Sequence, residues 1–486
     1  MAETLFDVIV IGAGPTGENV ADRAVKGGLT AVIVESNLVG GECSYAACIP
    51  SKVLLRSSAA LEAARNVEGA KQAVSGSLDA SAVLARRTRF TSSWHDDSQV
   101  EWLKGAKVTL VRGQGRLAGE RMVDVRAGDG SVTRLSARHA VAICTGTDPL
   151  LPPIPGLAEA LPWTNREATR ADRVPPRLAI IGGGPVACEL AQAFHSLGTR
   201  EVTLLDRGGR LLERFEPFVS DTIAAKFGVL GISIHAAANV MKVQRLSAKM
   251  PVKIWFEGPD SVPASVEADE ILVATGRVPN TKDIGIDTVS LQPGNWLEVD
   301  DTCRVKSVSG GWLYAAGDVN HRVLLTHMGK YQARVCGDAI VARAKGDLGA
   351  NSDDAPKPWT RFAATADHSA VPQVVFTDPE AAAVGLTEAQ AKEAGLHIRA
   401  VEYDMSHISG TQIVADGYQG HAKMIVDQDR RVIVGATLIG QDAGELIHAF
   451  TIAIVGQVPL DRLWHAVPSF PTMSEIWLRL LESYGL

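Results

Sequence analysis

Two thiols stand in an unusual setting in the stretch Gly40-Gly41-Glu42-Cys43-Ser44-Tyr45-Ala46-Ala47-Cys48-Ile49-Pro50-Ser51-Lys52. At the start of a helix, a Cys-x4-Cys spacing puts the two sulfurs one turn apart, near enough to bridge. A cysteine at a helix N-terminus has a lowered pKa, so its thiolate is available. Such a pair takes up two electrons as disulfide becomes dithiol. Glu42 acts the other way, because a carboxylate beside Cys43 disfavours its thiolate. Tyr45 either shapes an acceptor site or packs against the next helix. The other four cysteines, Cys144, Cys188, Cys303 and Cys336, read as small buried hydrophobes rather than a disulfide scaffold. No His/Cys cluster has zinc spacing, so no structural metal is expected.

A two-electron acceptor needs a donor, and two glycine turns provide places for one. The first is Gly12-Ala13-Gly14-Pro15-Thr16-Gly17, which follows an apolar strand and opens a helix; a second strand then ends at Glu35. The second is Gly182-Gly183-Gly184-Pro185-Val186-Ala187, with the following strand running to Asp206. Each repeats strand, tight turn, helix, strand and terminal acid, the pattern that binds a dinucleotide. The glycines let a pyrophosphate approach the backbone, and the helix N-terminus offers free N–H groups and a favourable dipole. Later strand ends echo one another at Thr145-Gly146 and Thr275-Gly276-Arg277. The residues expected to hold cofactors here are Gly12, Gly14, Pro15, Gly17, Glu35, Gly41, Thr145, Gly146, Gly182, Gly184, Asp206, Arg207, Gly276 and Arg277. Two dinucleotides in one chain, one tight and one exchangeable, imply hydride transfer from a nicotinamide to a flavin, hence FAD with NADH or NADPH. Asp206 favours NADH, since it would bind a ribose 2′-OH and repel a 2′-phosphate. Arg207 and Arg210 follow at once and could instead accept that phosphate.

The elements that must position these groups fill the 486-residue chain, which is long enough for about three domains. The expected fold is α/β: two Rossmann-like dinucleotide-binding domains plus a C-terminal α+β dimerisation domain. The boundaries read as residues 1–155 for the first part of an FAD-binding domain and 156–280 for an NAD(P)-binding domain. Residues 281–350 then form the second part of the FAD-binding or central domain, and 351–486 the dimerisation domain. Residues 55–104 read as two exposed inserted helices without assignable chemistry. A net charge of −7 leaves no basic stripe for nucleic acid. There is no apolar run long enough to span a membrane, and the first residues carry no leader pattern, so a cytoplasmic protein is expected.

On these motifs the chain resembles the pyridine nucleotide–disulfide oxidoreductases: glutathione reductase, dihydrolipoamide dehydrogenase and mercuric reductase. The likeness covers nearly the whole sequence. Leu313-Tyr-Ala-Ala-Gly-Asp318 is similar to the family's second FAD motif, in which the acid binds the ribityl chain. Phe376-Thr-Asp-Pro-Glu380 and Val384-Gly-Leu-Thr-Glu388 are similar to the start of its dimerisation domain. The resemblance implies that Lys52 and Glu189 form a pair beside the flavin N5. It also implies that Cys48 is the flavin-proximal sulfur, that Cys43 is the interchange thiol, and that the protein is a homodimer whose sites are completed by the partner.

The departures bear on function. The family ends in His-Pro-Thr-x-x-Glu, and this His is the acid/base for disulfide exchange. Here the stretch is Phe470-Pro471-Thr472-Met473-Ser474-Glu475. Glu475, a candidate catalytic residue by resemblance, therefore has no ring to orient, and His465 lies upstream across Pro468. Losing a positioned acid/base costs roughly 10²–10⁴ in rate. Quinones and similar small acceptors need no thiol proton shuttle. Pro185 replaces an aromatic residue that covers the flavin in some members. Mercuric reductases carry a C-terminal cysteine pair, whereas no cysteine follows Cys336. The expected activity is NAD(P)H-dependent reduction of a quinone or other small electron acceptor through FAD, with or without Cys43–Cys48. The alternative is reduction of an unusual disulfide, and reduction of mercury or another metal ion ranks below both.

Overall fold

The β-branched run Val8-Ile9-Val10-Ile11 is buried on both faces, as a central parallel strand requires. In the computed structural model, which describes residues 3–349 and 356–486, it lies in strand Glu3–Ile11. Ala31–Glu35 pairs in parallel on one side and Val132–Ile143 on the other. Thr109–Arg112 and Leu313–Ala315 extend the parallel part, while Met122–Arg126 and Gln114–Leu117 add antiparallel strands. Apolar clusters cover both faces; one contains Val8, Val10 and Ile33, the other Ile9, Ile11 and Val141. Helices Pro15–Lys26 and Thr326–Lys345 pack on this sheet's unit. The unit comprises residues 1–49, 88–149 and 276–368.

The second unit comprises residues 50–87, 150–275 and 369–486. It holds a four-stranded parallel sheet in the order Ser233–His235, Glu201–Leu205, Arg177–Ile181, Glu270–Val273. A three-stranded antiparallel sheet, Asn239–Arg245, Val252–Glu257 and Pro263–Ala268, covers it through a shared core around Leu205 and Ile254. A five-stranded antiparallel sheet centred on Glu380–Gly385, Val432–Gly440 and His421–Asp427 carries the C-terminal region. This is the expected α/β class with a separate C-terminal α+β part. The boundary expected at 350/351 and the first two residues of the N-terminal reading lie outside the described residues.

The insert at 55–104 differs from the two exposed helices expected. It contains the remainder of helix Cys48–Arg65, a short helix Ala70–Ala73, and helices Ala80–Phe90 and Asp97–Gly105. Leu54, Leu55 and Val83 are buried against Ala193 and Leu197, so part of this segment is core. Arg87 is buried too, donating to the carbonyls of Thr169 and Ala171.

Candidate active site

The two thiols do not share a helical turn. Cys43 lies in the short helix Gly41–Tyr45, and the chain leaves helical geometry at Ala46, where φ is −142°. A new helix then starts at Cys48. Pro50 accounts for the break: it lacks the N–H that would bond the Ala46 carbonyl, and its ring would strike that carbonyl. Near the start of the second helix the same proline is well tolerated. The break still leaves the two side chains hydrogen-bonded to each other. Cys48 Sγ also lies 3.1 Å from Thr326 Oγ1, at the start of helix Thr326–Lys345.

The expected lowering of the thiol pKa fails for Cys43. It is pushed well up, first by its hydrogen bond to Cys48 and then by burial. Thr326 and the Lys330 ammonium pull in the other direction. Glu42 is not what disfavours the thiolate, because its carboxylate is paired with Arg277. Arg277 also donates to the Thr147 carbonyl at 2.7 Å, with Asp318 Oδ2 3.9 Å away. Asp318 accepts from Thr147 Oγ1 at 3.0 Å, and burial raises its pKa. Tyr45 packs rather than facing outward: it is buried, its hydroxyl donates to the His95 carbonyl, and burial pushes it to about 12. Cys144, Cys188, Cys303 and Cys336 are buried free thiols.

The glycine turns have the geometry that a dinucleotide needs. Gly12 has φ +102°, and a β-carbon there would strike the Cys144 carbonyl. A β-carbon at Gly41 would lie 2.8 Å from Gly14 Cα, so the thiol loop touches the glycine turn. Gly17 is equally crowded against the Gly12 carbonyl, while Gly146 and Gly184 face open space. Pro15 and Pro185 open their helices from glycine N-caps. Glu35 accepts from Ala13 N at 2.6 Å and Asn37 N at 2.7 Å, which places the carboxylate beside the turn. The hydroxyl of Thr145 is buried without a partner, and its carbonyl accepts from Asn280. A cradle of crowded glycines beside an acid and a helix N-terminus fits FAD at the first turn.

In the second unit Gly182 has φ +127° and Gly183 packs against the Asp206 carboxylate. Burial raises the pKa of Asp206, with Glu213 adding to the shift. Glu213, which the sequence reading passed over, accepts from Gly209 N at 2.8 Å. Arg210 is not free for a phosphate: it donates to Ser220 Oγ at 2.8 Å and to the carbonyls of Glu213 and Phe215. Arg207 is exposed. Gly276 has φ +134°.

Lys52 Nζ lies 2.7 Å from Glu189 Oε2, and the Glu189 side chain is 5 % exposed. The other Glu189 oxygen accepts from Phe376 N at 3.0 Å. Nothing in this buried carboxylate is left unpaired, and the Lys52 ammonium sits 5.0 Å over the Phe376 ring. At the C-terminus Phe470 is 73 % exposed and His465 is exposed as well. Glu475 is buried; Oε1 pairs with Arg479 at 3.1 Å, and Oε2 is buried without a partner.

Among the described residues no helix is long and apolar enough to cross a membrane. Comparison with known proteins places these features in one family. The pyridine nucleotide-disulphide oxidoreductase model matches residues 6–338, and its dimerisation domain matches 371–480. The mercuric reductase of Staphylococcus aureus is 29% identical over 97% of this chain and 81% of its own. The dihydrolipoyl dehydrogenase of Chlorobaculum tepidum is 31% identical over 98% and 96%. In fold, the chain is similar to the HOCl-induced flavoprotein disulfide reductase RclA of Escherichia coli, with TM-score 0.80, 22% identity and 99% of each chain covered. LpdA of Mycobacterium tuberculosis matches with TM-score 0.82 and 21% identity over 99% of this chain and 100% of its own. The chain belongs to the pyridine nucleotide-disulphide oxidoreductase family and is an NAD(P)H-dependent flavoprotein oxidoreductase.

Proposed function

We propose that this enzyme passes electrons from NADH through FAD to a quinone or another small acceptor that needs no thiol acid/base. The observation that carries the reading is position 470. An exposed phenylalanine stands where disulfide exchange uses a histidine, and Glu475 is tied to Arg479 instead of a ring. FAD would supply the two-electron carrier between nicotinamide and acceptor. Gly12, Gly14 and Gly17 let its pyrophosphate reach the N-terminus of helix Pro15–Lys26; Glu35 would take the ribose and Asp318 the ribityl hydroxyls. Lys52, held at 2.7 Å by buried Glu189, is the proposed catalytic cation. These assignments make residues 1–155 and 281–350 the FAD-binding parts, 156–280 the NAD(P)-binding domain and 351–486 the dimerisation domain.

Asp206 and Glu213 together support NADH, since two carboxylates flank the place of a 2′-phosphate and Arg210 is spent on the loop. Exposed Trp464, Val467 and Phe470 support a homodimer closed over the C-terminal segment, and the reading places it in the cytoplasm. A second reading, reduction of an unusual disulfide, draws on the hydrogen-bonded Cys43–Cys48 pair beside Thr326.

Cys48→Ser separates the two. NADH-driven turnover of a naphthoquinone is measured anaerobically at matched FAD content. Retained turnover means the cysteines are dispensable for that acceptor. Collapse of turnover, while NADH still bleaches the flavin at the parent's rate, overturns the quinone reading in favour of a thiol-mediated one.

A further inference from the structure

Three helix ends converge near one buried carboxyl, that of Glu18. The N-termini of helices Pro15–Lys26 and Gly41–Tyr45 touch at Gly14 and Gly41. Helix Pro15–Lys26 also meets helix Thr326–Lys345, where a β-carbon at Gly329 would lie 2.5 Å from Thr16 Oγ1. Glu18 stands one turn beyond Gly14 at this junction. The residue is only 9 % exposed, and Oε1 is fully buried without a hydrogen-bond partner. Cys43 and Tyr45 lie on the second of these helices, and Lys330 lies on the third, next to Gly329. The Lys330 ammonium pulls the pKa of both Cys43 and Glu18 down.

We propose that Glu18 is the proton-holding group of the thiol side, supplying the proton that acceptor reduction consumes there. The proposal rests on the quinone reading and deepens it. NAD(P)H gives up two electrons and one proton as hydride and is oxidised. A quinone needs two electrons and two protons to become a hydroquinone. The second proton comes from Glu18: its O–H bond breaks as an O–H bond forms on the acceptor, and the carboxylate regains a proton from solvent. No further reductant is needed.

The charges around Glu18 account for its readiness. Burial is the largest influence, and Glu35 adds to it, so the carboxyl is pushed up to about 7 against the pull of Lys330. The helix N-terminus would by itself favour the carboxylate. Other nearby charges are taken up: Asp22 pairs with Lys26, Arg23 with Asp338, and Glu42 with Arg277. Tyr45 is pushed up and holds its own proton. A carboxyl with this pKa is close to half protonated at neutral pH, which suits a general acid.

Glu18→Gln keeps the shape and removes the transferable proton, and Glu18→Asp keeps the proton on a shorter arm. In the parent, turnover of 1,4-naphthoquinone is expected to fall as pH rises through about 7, because the acid is lost. In the Gln variant that limb disappears and turnover drops by about 10² or more, while the rate at which NADH bleaches the flavin is unchanged. The Asp variant recovers part of the rate. A second readout needs no acceptor: the pH dependence of Cys43 alkylation by iodoacetamide in the NADH-reduced protein, followed by mass spectrometry. The parent is expected to show a step near neutral pH that the Gln variant lacks. A Gln variant with the parent's pH profiles in both measurements would overturn the proposal. A parent that reduces no quinone sinks the acceptor reading alone, since alkylation still tests Glu18.

Discussion

Glu213→Gln is expected to move the enzyme's choice of nicotinamide toward NADPH by about tenfold. The side chains at this turn set the size of the effect. A β-carbon placed on Gly208 would lie 2.5 Å from Glu213 Oε1 and 3.1 Å from Asp206 Oδ2, so the two carboxylates are within about 6 Å of each other. A 2′-phosphate on the ribose that the proposed reading gives to Asp206 carries nearly two negative charges. Taking for the phosphate the separation of about 6 Å that Asp206 has from Glu213, in a medium near bulk-water dielectric, each charge pair costs about 0.7 kcal/mol, giving about 1.4 kcal/mol for the phosphate. The water-like dielectric is the right choice because Glu213 is exposed. Its uncharged 2′-OH leaves NADH almost unaffected.

Glutamine keeps the acceptor that Gly209 N uses at 2.8 Å, so the turn holds its shape and only the charge goes. The assay is the ratio of kcat/KM for NADPH to that for NADH, in parent and variant, with the same quinone at low ionic strength. The gain is expected to shrink toward nothing at about 1 M salt, where the Debye length falls to about 3 Å. An unchanged ratio at low salt would show that Glu213 does not face the 2′ position. A gain that survives high salt would show that the effect is not electrostatic.

Phe470→His is expected to raise reduction of lipoamide or glutathione disulfide at least about tenfold while leaving naphthoquinone turnover unchanged. The exposed ring should accept the change without loss of fold, and no gain with either disulfide would break the link between position 470 and the acceptor. Lys423→Met tests the second unit's charge network around buried Lys423 and Glu216, in which Lys423 lies 2.5 Å from Glu388, 3.2 Å from Glu402 and 3.4 Å from Glu216. Removing the cation that Glu216, Glu388 and Glu402 share is expected to cost about 3–5 kcal/mol at neutral pH by denaturant unfolding, because Glu216 is buried beside it. Glu388 is held low first by Lys392 and then by Lys423. Glu402 is held low by His421 and Lys423 against burial. Carboxylates lowered in the folded state stabilise above their unfolded pKa and lose that contribution as pH falls through the folded value. The deficit should therefore be full at pH ~7 and narrow below about 4; a deficit that does not vary with pH would mean that packing, not charge, is lost.

The glycine turns could be read from the sequence because their reason is local. Gly12 and Gly182 sit at φ values that a side chain resists, and the strand, helix and acid around them follow within one short segment. The separation of the two thiols was also local, in Pro50, but the regular spacing of the cysteines concealed it. Glu213 was missed for a different reason: the loop after Asp206 folds back, and only that fold brings the second carboxylate beside the first. Arg210 looked like a phosphate ligand until the helix starting at Pro217 supplied Ser220 to hold it.

These cases share a cause that bears on the chemistry. Residues that place electrons are chosen by cofactors whose shape repeats from protein to protein, so their pattern survives in short motifs. A residue that holds a proton works through its pKa, and pKa depends on burial and on charges contributed by distant segments. Glu18 adjoins the most legible motif in the chain, yet its pKa is set first by burial, against the pull of Lys330 on helix Thr326–Lys345. Phe470 is the converse: on the proposed reading, a single local change there removes a proton site. If the acid has moved from the C-terminal segment to the glycine-turn helix, the double variant carrying Phe470→His and Glu18→Gln should regain disulfide reduction while remaining slow with quinone. Two proton donors serving different acceptors would then be separable in one fold.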